Sequence, residues 1–272
     1  MGVRRAVTGS MRLAWVYLQI GIANELQYRA NFLIQVLQSL IALGVGLLGL
    51  WLVFNQVAEL NGWQPAELVV VMGIYILMGG VVRAAIQPNM QRLMDDIRSG
   101  TLDFVLTKPA DAQALVSVRE FRFWQLVDVV VGLVVLGSGL QRMQQAGLEP
   151  LAAAPFLAFA ITLLLGITML YCFWLMLTCV AFWVVRADEM VNLFEGVYAA
   201  GRWPVTIYPG WLRYTLTFLI PVAFAVTVPA QALTGRLTLG TLLGAAALAG
   251  GLLLAARLVW RLGVKNYAGA SA

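Results

Sequence analysis

Long apolar segments separated by short polar ones make up most of this chain. Five of them are apolar enough to cross a membrane as helices, for which about 20 residues suffice, and a more polar segment at residues 188–203 gives a sixth span. The predicted spans are residues 31–54, 66–82, 123–140, 151–185, 188–203 and 237–260. Residues 151–185 carry no charge over 35 positions and predict one long, tilted span. Because backbone polar groups in lipid must be paired internally, the pattern predicts an all-α integral membrane protein.

Two apolar segments differ from a simple span. Residues 1–29 mix aromatic and basic side chains with aliphatic ones and predict an N-terminal interfacial helix, or else an extension of the first span. Residues 204–233 contain four prolines, which favour a re-entrant pair of half-helices over an unbroken helix. Such backbone is tolerated at membrane depth only where it is buried in protein or lines a cavity.

One long polar interval, from Arg83 to Arg122, lies between the second and third spans. Residues 89–99 predict a short helix that begins after Pro88 and ends at Gly100, a residue suited to the left-handed position that terminates helices. Apolar residues recur there at helical spacing, while charged ones occupy the other faces. The apolar stripe is Met90, Leu93, Met94 and Ile97, and the charged residues are Arg92, Asp95, Asp96 and Arg98. The pattern is typical of a partner-binding helix and also of an ordinary interfacial one.

Composition agrees with a membrane protein and excludes several kinds of chemistry. The chain is 61% hydrophobic and 11% charged, with a mean hydropathy of +0.84. It has no histidine, and its two cysteines lie in one apolar run, so imidazole and four-cysteine metal sites are excluded. No phosphate-binding Gly-x-x-x-x-Gly-Lys motif occurs. We therefore predict that this chain is not an enzyme and binds no cofactor of its own.

The net charge of +5 reflects membrane topology rather than nucleic-acid binding, because basic residues collect at the ends of the spans. If an even number of spans separates the basic groups, 14 of the 18 lysines and arginines lie on one side. The positive-inside rule makes that side cytoplasmic. Both termini and the Arg83–Arg122 interval are then cytoplasmic, and residues 204–233 face outward.

Charged residues within the predicted spans have two interpretations. Asp128, Glu195 and Arg202 are costly in lipid and indicate either a polar pathway or structural ion pairs. A second group is aromatic and falls at the predicted outer side, where an interfacial belt or an exit gate for an amphiphile would lie. Its members are Trp203, Tyr208, Trp211 and Tyr214.

Three motifs, taken in order, resemble the ABC-2-type exporter permeases. The run IRSGTLDFVLTKP at residues 97–109 is similar to the segment after the second span of that family. Arg186 and Asp188 resemble its cytoplasmic turn between spans four and five, here with Ala187 inserted. Residues 204–230 are similar to its extracellular re-entrant region, although Ile220-Pro221 replaces the common Asn-Pro. These departures indicate a divergent branch.

The resemblance implies a coupling segment at residues 88–109 that docks a separate ABC ATPase dimer, with ATP and magnesium held by that partner. The implied docking residues are Met90, Arg92, Leu93, Met94, Asp95, Asp96, Ile97, Arg98, Gly100, Leu102 and Asp103. It further implies pairing with a second permease copy or a related permease in a bacterial-type plasma membrane. We predict export of a hydrophobic or amphiphilic substrate. The alternatives are a secondary transporter and a non-transporting membrane scaffold.

Overall fold

The computed structural model describes residues 29–56, 59–147, 153–183 and 196–267. Helices make up most of this part of the chain, and within it no strand forms beyond one isolated bridge between Leu60 and Trp63. The predicted all-α membrane fold is confirmed. The N-terminal interfacial helix and the first half of the span predicted at residues 188–203 lie outside the described residues.

Ten α-helices are described, several with short 3₁₀ or π turns at their ends. They are α1 Arg29–Phe54, α2 Pro65–Val81, α3 Gln87–Ser99, α4 Asp103–Leu106, α5 Ala112–Val116, α6 Leu126–Gln145, α7 Ala153–Cys179, α8 Gly210–Tyr214, α9 Val222–Leu233 and α10 Leu239–Asn266. The 3₁₀ turns are Phe123–Gln125, Val180–Phe182, Ala199–Arg202 and Val205–Ile207, and the π turns are Val82–Ile86 and Thr215–Leu219.

Five helical segments of the described chain are long and apolar enough to cross a membrane. They are Leu33–Val53, Pro65–Ser99, Phe123–Gln145, Pro155–Phe182 and Leu239–Lys265. A sixth arises if the pair Gly210–Leu219 and Val222–Leu233, bent by 91°, is taken as one span. This bent pair falls within the segment predicted to be re-entrant, where Pro221 interrupts the helix.

The second span and the helix of the polar interval form one continuous 35-residue element, where the sequence suggested two. Pro88 lacks a backbone N–H, and the π turn Val82–Ile86 precedes it. In an uninterrupted α-helix the carbonyl of Ala84 would accept the backbone N–H of residue 88, which a proline lacks. It accepts the backbone N–H of Arg122 instead, at 2.9 Å. The segment that returns to α6 therefore satisfies the polar group that the proline leaves unpaired.

Glycines on both helices bring α2 and α6 into close contact. A Cβ added at Gly73 would lie 2.5 Å from the backbone N of Leu136, and one added at Gly132 would lie 2.5 Å from that of Leu77. A Cβ added at Gly80 would lie 2.7 Å from the backbone N of Val129, and one added at Gly139 would lie 2.9 Å from that of Val70. The two helices thus touch backbone to backbone, as small residues permit.

Gly240 and Gly244 of α10 have the Gly-x-x-x-Gly spacing that permits close helix packing, but they make no such contact within the described chain. A Cβ at Gly244 would meet nothing within 4 Å, and one at Gly240 would meet only a threonine hydroxyl at 3.9 Å. Helix α10 approaches its neighbour instead at Gly263, which lies against the ring of Phe182. Glycine spacing alone therefore does not identify the contact face of this helix.

An ion pair closes the end of the bundle opposite the polar interval. Arg236 donates to both carboxylate oxygens of Glu67, at 2.8 and 2.7 Å, and to the carbonyl of Gly62 at 2.6 Å. Its guanidinium also lies over the ring of Trp63, 4.8 Å from the centroid. The start of α2 and the loop before α10 are joined in this way across 169 positions of sequence.

Replacing Glu67 by glutamine should lower thermal stability. The side chain of Glu67 is 4% exposed and that of Arg236 is 37% exposed, so the arginine loses a charged acceptor but keeps access to water. We expect a cost of about 1–2 kcal/mol, because hydrogen bonds to charged groups contribute ~1.5–3 kcal/mol. The melting temperature of the purified protein in detergent measures the effect. Glu59→Gln, at an exposed acid near the same end, should leave that temperature unchanged.

Candidate functional site

The polar unit, defined here as residues 87–122, consists of α3, α4, α5 and the segment that returns to α6. Helix α3 ends where predicted, because Gly100 adopts the left-handed conformation with φ +73°. The chain then reverses through α4, and the backbone N–H of Leu102 donates to the carbonyl of Asp96 at 3.2 Å. The turn fixes α4 against the end of α3.

Asn89 ties α3 to the returning segment. Its Nδ2 donates to the carbonyls of Ala85 and Glu120 at 2.6 and 2.7 Å, and its Oδ1 accepts the backbone N–H groups of Arg119 and Glu120. Asn89 is 1% exposed. All four hydrogen-bonding positions of this amide are used, so its place in the helix is strictly defined.

A buried ion pair gives the polar unit its second connection. Nη2 of Arg119 lies 2.6 Å from Oδ2 of Asp96, with the two side chains 13% and 8% exposed. The other carboxylate oxygen accepts the hydroxyl of Thr101 at 3.0 Å. Arg92 lies near both acids, 3.5 Å from Asp96 and 3.4 Å from Glu120. The network holds together α3, the turn at Thr101 and the segment that returns to α6.

Much of the predicted docking set is turned into the chain's own core, which corrects the interpretation of the apolar stripe. The residues that lie buried are Met90, Leu93, Met94, Asp96 and Leu102. Met94 and the half-buried Ile97 pack with Ala181, near the end of α7. The periodicity was identified correctly, but its apolar face is covered by this protein and is not free for a partner.

The remaining predicted residues lie on the outer face of the unit. Arg92, Asp95 and Arg98 are exposed, and Gly100 and Asp103 are half-buried. These side chains can meet a partner without any rearrangement of the core. Asp95 is exposed although its neighbour Asp96 is buried.

A groove of about 460 Å³ opens on this face, and no pattern in the sequence predicts it. It is lined by Arg92, Thr101, Phe104, Lys108 and Glu120, together with the buried pair of Asp96 and Arg119. Phe104, absent from the predicted set, is 73% exposed although its neighbours Leu102 and Val105 are buried. Phe104 does not share the helical face on which Leu102, Val105 and Leu106 lie. This spacing could have identified it from the sequence as an exposed aromatic residue.

Further contacts attach the polar unit to the bundle. Arg257 of α10 donates to both carboxylate oxygens of Asp111 and to Oε1 of Gln113 at 2.7 Å. Ser117 and Tyr171 of α7 share a hydrogen bond of 2.8 Å. The hydrogen bond from Arg257 lowers the pKa of the Asp111 carboxyl below its ordinary value. This contact therefore stabilises the protein fully above the ordinary pKa of the carboxyl, and the stabilisation is lost as the pH falls through the lowered pKa of the folded state.

A second polar cluster lies among the spanning helices, around Asp128. This carboxylate accepts Nη2 and Nε of Arg83 at 2.6 and 3.1 Å. It also accepts the side chains of Ser39 and Gln35 from α1. Asp128 thus belongs to a hydrogen-bonded ion pair, which is the structural alternative considered for it.

Arg202 lies above a pair of tyrosines near this cluster. Its guanidinium is 5.8 Å from the centroid of the Tyr75 ring, and that ring stacks on Tyr198 with centroids 4.9 Å apart. A cavity of about 90 Å³ includes Arg202, both tyrosines, Arg83 and Asp128 in its walls. Arg186, Asp188 and Glu195, the other charges singled out in the sequence, lie outside the described residues.

No metal site is apparent in the part of the chain that the structure describes, where no three cysteine, aspartate or glutamate side chains cluster suitably. A protein-family model described as ABC-2 family transporter protein matches residues 40–271, which is most of the chain. Comparison with curated proteins and with solved structures gives no match.

Proposed function

Because the chain belongs to the ABC-2 family of transporter proteins, we propose that it is the membrane permease of an ATP-driven exporter served by a separate ATPase subunit. The observation that carries this proposal is the polar unit itself. It presents a groove, an exposed aromatic residue and surface charges at one end of an otherwise apolar bundle. The unit lies on the cytoplasmic side by the positive-inside rule, with both termini.

The docking surface in this proposal is the outer face of the polar unit, built from Arg92, Asp95, Arg98, Asp103 and Phe104. Exposed aromatic residues and arginines are the side chains that most often dominate binding at protein interfaces. Phe104 would insert into the ATPase, and the charges around it would set the orientation. The buried stripe of α3 supports this surface from behind.

The continuous helix from Pro65 to Ser99 offers a direct route for the mechanical step. Closure of an ATPase dimer on ATP would push α3, and α2 would move with it because the two form one helix. The backbone contacts at Gly73 and Gly132 would carry α6 along. Two permeases, identical or related, would then exchange inward-facing and outward-facing states in the plasma membrane. The substrate in this proposal is hydrophobic or amphiphilic.

Replacing Phe104 by alanine should weaken binding of the ATPase subunit that co-purifies with the wild-type protein. Truncating a central aromatic anchor costs at least about 2 kcal/mol, so we expect the dissociation constant to rise roughly 30-fold. Phe218→Ala is the matched control, because Phe218 is also exposed, at 58%, but lies in the bent segment outside the polar unit. Equal affinities for the wild type and Phe104→Ala would place the docking surface elsewhere.

A further inference from the structure

The cavity beside Arg202 lies at membrane depth. Tyr75, in its wall, comes ten residues after the start of α2 at Pro65, which is about 15 Å along the helix. Arg83, also in the wall, lies about 27 Å along, while a hydrocarbon core is ~30 Å thick. The cavity therefore extends from near the middle of the bilayer toward the end that holds the polar unit.

Among the described residues that line the cavity, the charges do not balance. Asp128 is matched by Arg83, and both of its oxygens are occupied by donors from Arg83, Ser39 and Gln35. Arg202 adds a second positive charge. Among the described residues, its guanidinium contacts the ring face of Tyr75. A cation–π contact stabilises a guanidinium without neutralising it. A charged side chain at this depth is costly and usually faces a partner charge or a water-filled cavity.

The size of the space restricts what can neutralise it. The cavity measures about 90 Å³, and an adjoining one of about 190 Å³ shares Ser39, Ala42, Arg83 and Asp128 with it. Pockets for whole drug-sized ligands run to ~300–1,000 Å³. The space suits one compact polar group, such as a phosphate or a carboxylate, and not a complete bulky substrate.

One wall of the cavity is formed by α1, whose outer face is exposed within the described chain. This helix contacts the rest of the described chain along a narrow strip, and Gln35, Ser39 and Gly46 are its buried positions among residues 33–53. Leu43, Met72 and Ile76 line the same cavity beside the polar groups. Acyl chains attached to a bound headgroup would find an apolar path there between α1 and α2.

We propose that this cavity binds the anionic headgroup, a phosphate or a carboxylate, of a membrane amphiphile. Arg202 is the residue that pairs with it, Tyr75 and Tyr198 flank it, and the acyl chains lie along α1. The identification of this amphiphile as the transported substrate rests on the function proposed above. Binding itself does not require the ATPase.

The test is binding of fluorescent phosphatidylglycerol and fluorescent phosphatidylcholine to the purified full-length protein in detergent. Both lipids carry a phosphate, but choline cancels its charge in the second. We expect the wild type to bind phosphatidylglycerol at least about tenfold more tightly, a difference of ~1.4 kcal/mol. Arg202→Gln should remove this preference, and Arg202→Lys should keep most of it. Arg213→Gln, at an exposed arginine outside the cavity, should keep all of it.

Ala42→Phe provides a steric test that leaves every charge in place, because Ala42 lines both cavities and a benzyl group there would occupy the space. It should abolish the preference even if Arg202→Gln fails to fold. A preference unchanged in Arg202→Gln or in Ala42→Phe would overturn the proposal. Displacement of the lipid by sodium phosphate would identify a soluble anion as the ligand and overturn the assignment to an amphiphile. The binding assay contains no ATPase subunit. Its result therefore does not decide the proposed transport function, which is tested separately.

Discussion

A leucine at Gly132 is expected to prevent the bundle from assembling. The added Cβ would lie 2.5 Å from the backbone N and 2.7 Å from the Cα of Leu77, and backbone atoms cannot rotate away as a side chain can. Helices α2 and α6 would have to separate along their whole contact. Overpacking in a well-packed core costs ~1–3 kcal/mol and sometimes more, and a backbone clash belongs at the upper end of that range.

The yield of monodisperse protein and its melting temperature in detergent measure this effect. Gly137→Leu is the matched control, because Gly137 lies on the same helix, five residues further along, and a Cβ there would meet nothing within 4 Å. We expect Gly137→Leu to behave as the wild type and Gly132→Leu to be poorly folded. Similar melting temperatures for the two variants would contradict the contact between α2 and α6.

Removing the carboxylate of Asp96 is expected to release the polar unit from its fixed shape. Asp96→Ala leaves the guanidinium of Arg119, 13% exposed, without its acidic partner. Breaking a buried pair by removing one member costs ~3–5 kcal/mol, and we expect about 3 kcal/mol here because the pair lies close to water. The loop of Thr101 and the segment around Arg119 would separate from α3, and the groove at Phe104 would lose its walls.

Asp95→Ala supplies the control, since Asp95 is exposed and directly precedes Asp96. Limited proteolysis of the purified protein would report the loosening as new cleavage within residues 100–122 of Asp96→Ala alone. The melting temperature should fall for that variant and stay constant for Asp95→Ala. Equal protease resistance in the two variants would show that the ion pair does not hold the unit together.

The sequence predicted the fold class correctly, but it did not show which helix faces pack together. Hydropathy and the end of α3 at Gly100 were read correctly, because both depend on local chemistry. The apolar stripe of α3 was also real, but periodicity cannot say what covers an apolar face. Here it packs into the protein's own core, and Met94 contacts a residue as distant in sequence as Ala181. Met94→Asp would thus disturb the core before it disturbed any partner.

The features that could not be predicted from the sequence depend on contacts between segments that are distant in the chain. The chain has 26 glycines, and nothing in their spacing reveals that Gly73 and Gly132 face the backbone of the opposite helix while Gly244 faces open space. The pairing of Glu67 with Arg236 likewise depends on how the helices pack. Asp128 was recognised as either functional or structural, and only the position of Arg83 shows its ion pair.

The central claim is that an ABC ATPase docks on the outer face of the polar unit. Incorporation of a photo-crosslinking phenylalanine analogue at position 104, in cells that produce the native partners, tests it most directly. The same analogue at position 218, equally aromatic and 58% exposed, is the control. We predict that illumination joins position 104, and not position 218, to a polypeptide that binds and hydrolyses ATP. An ATPase that co-purifies with the protein but is never captured at position 104 would contradict the claim.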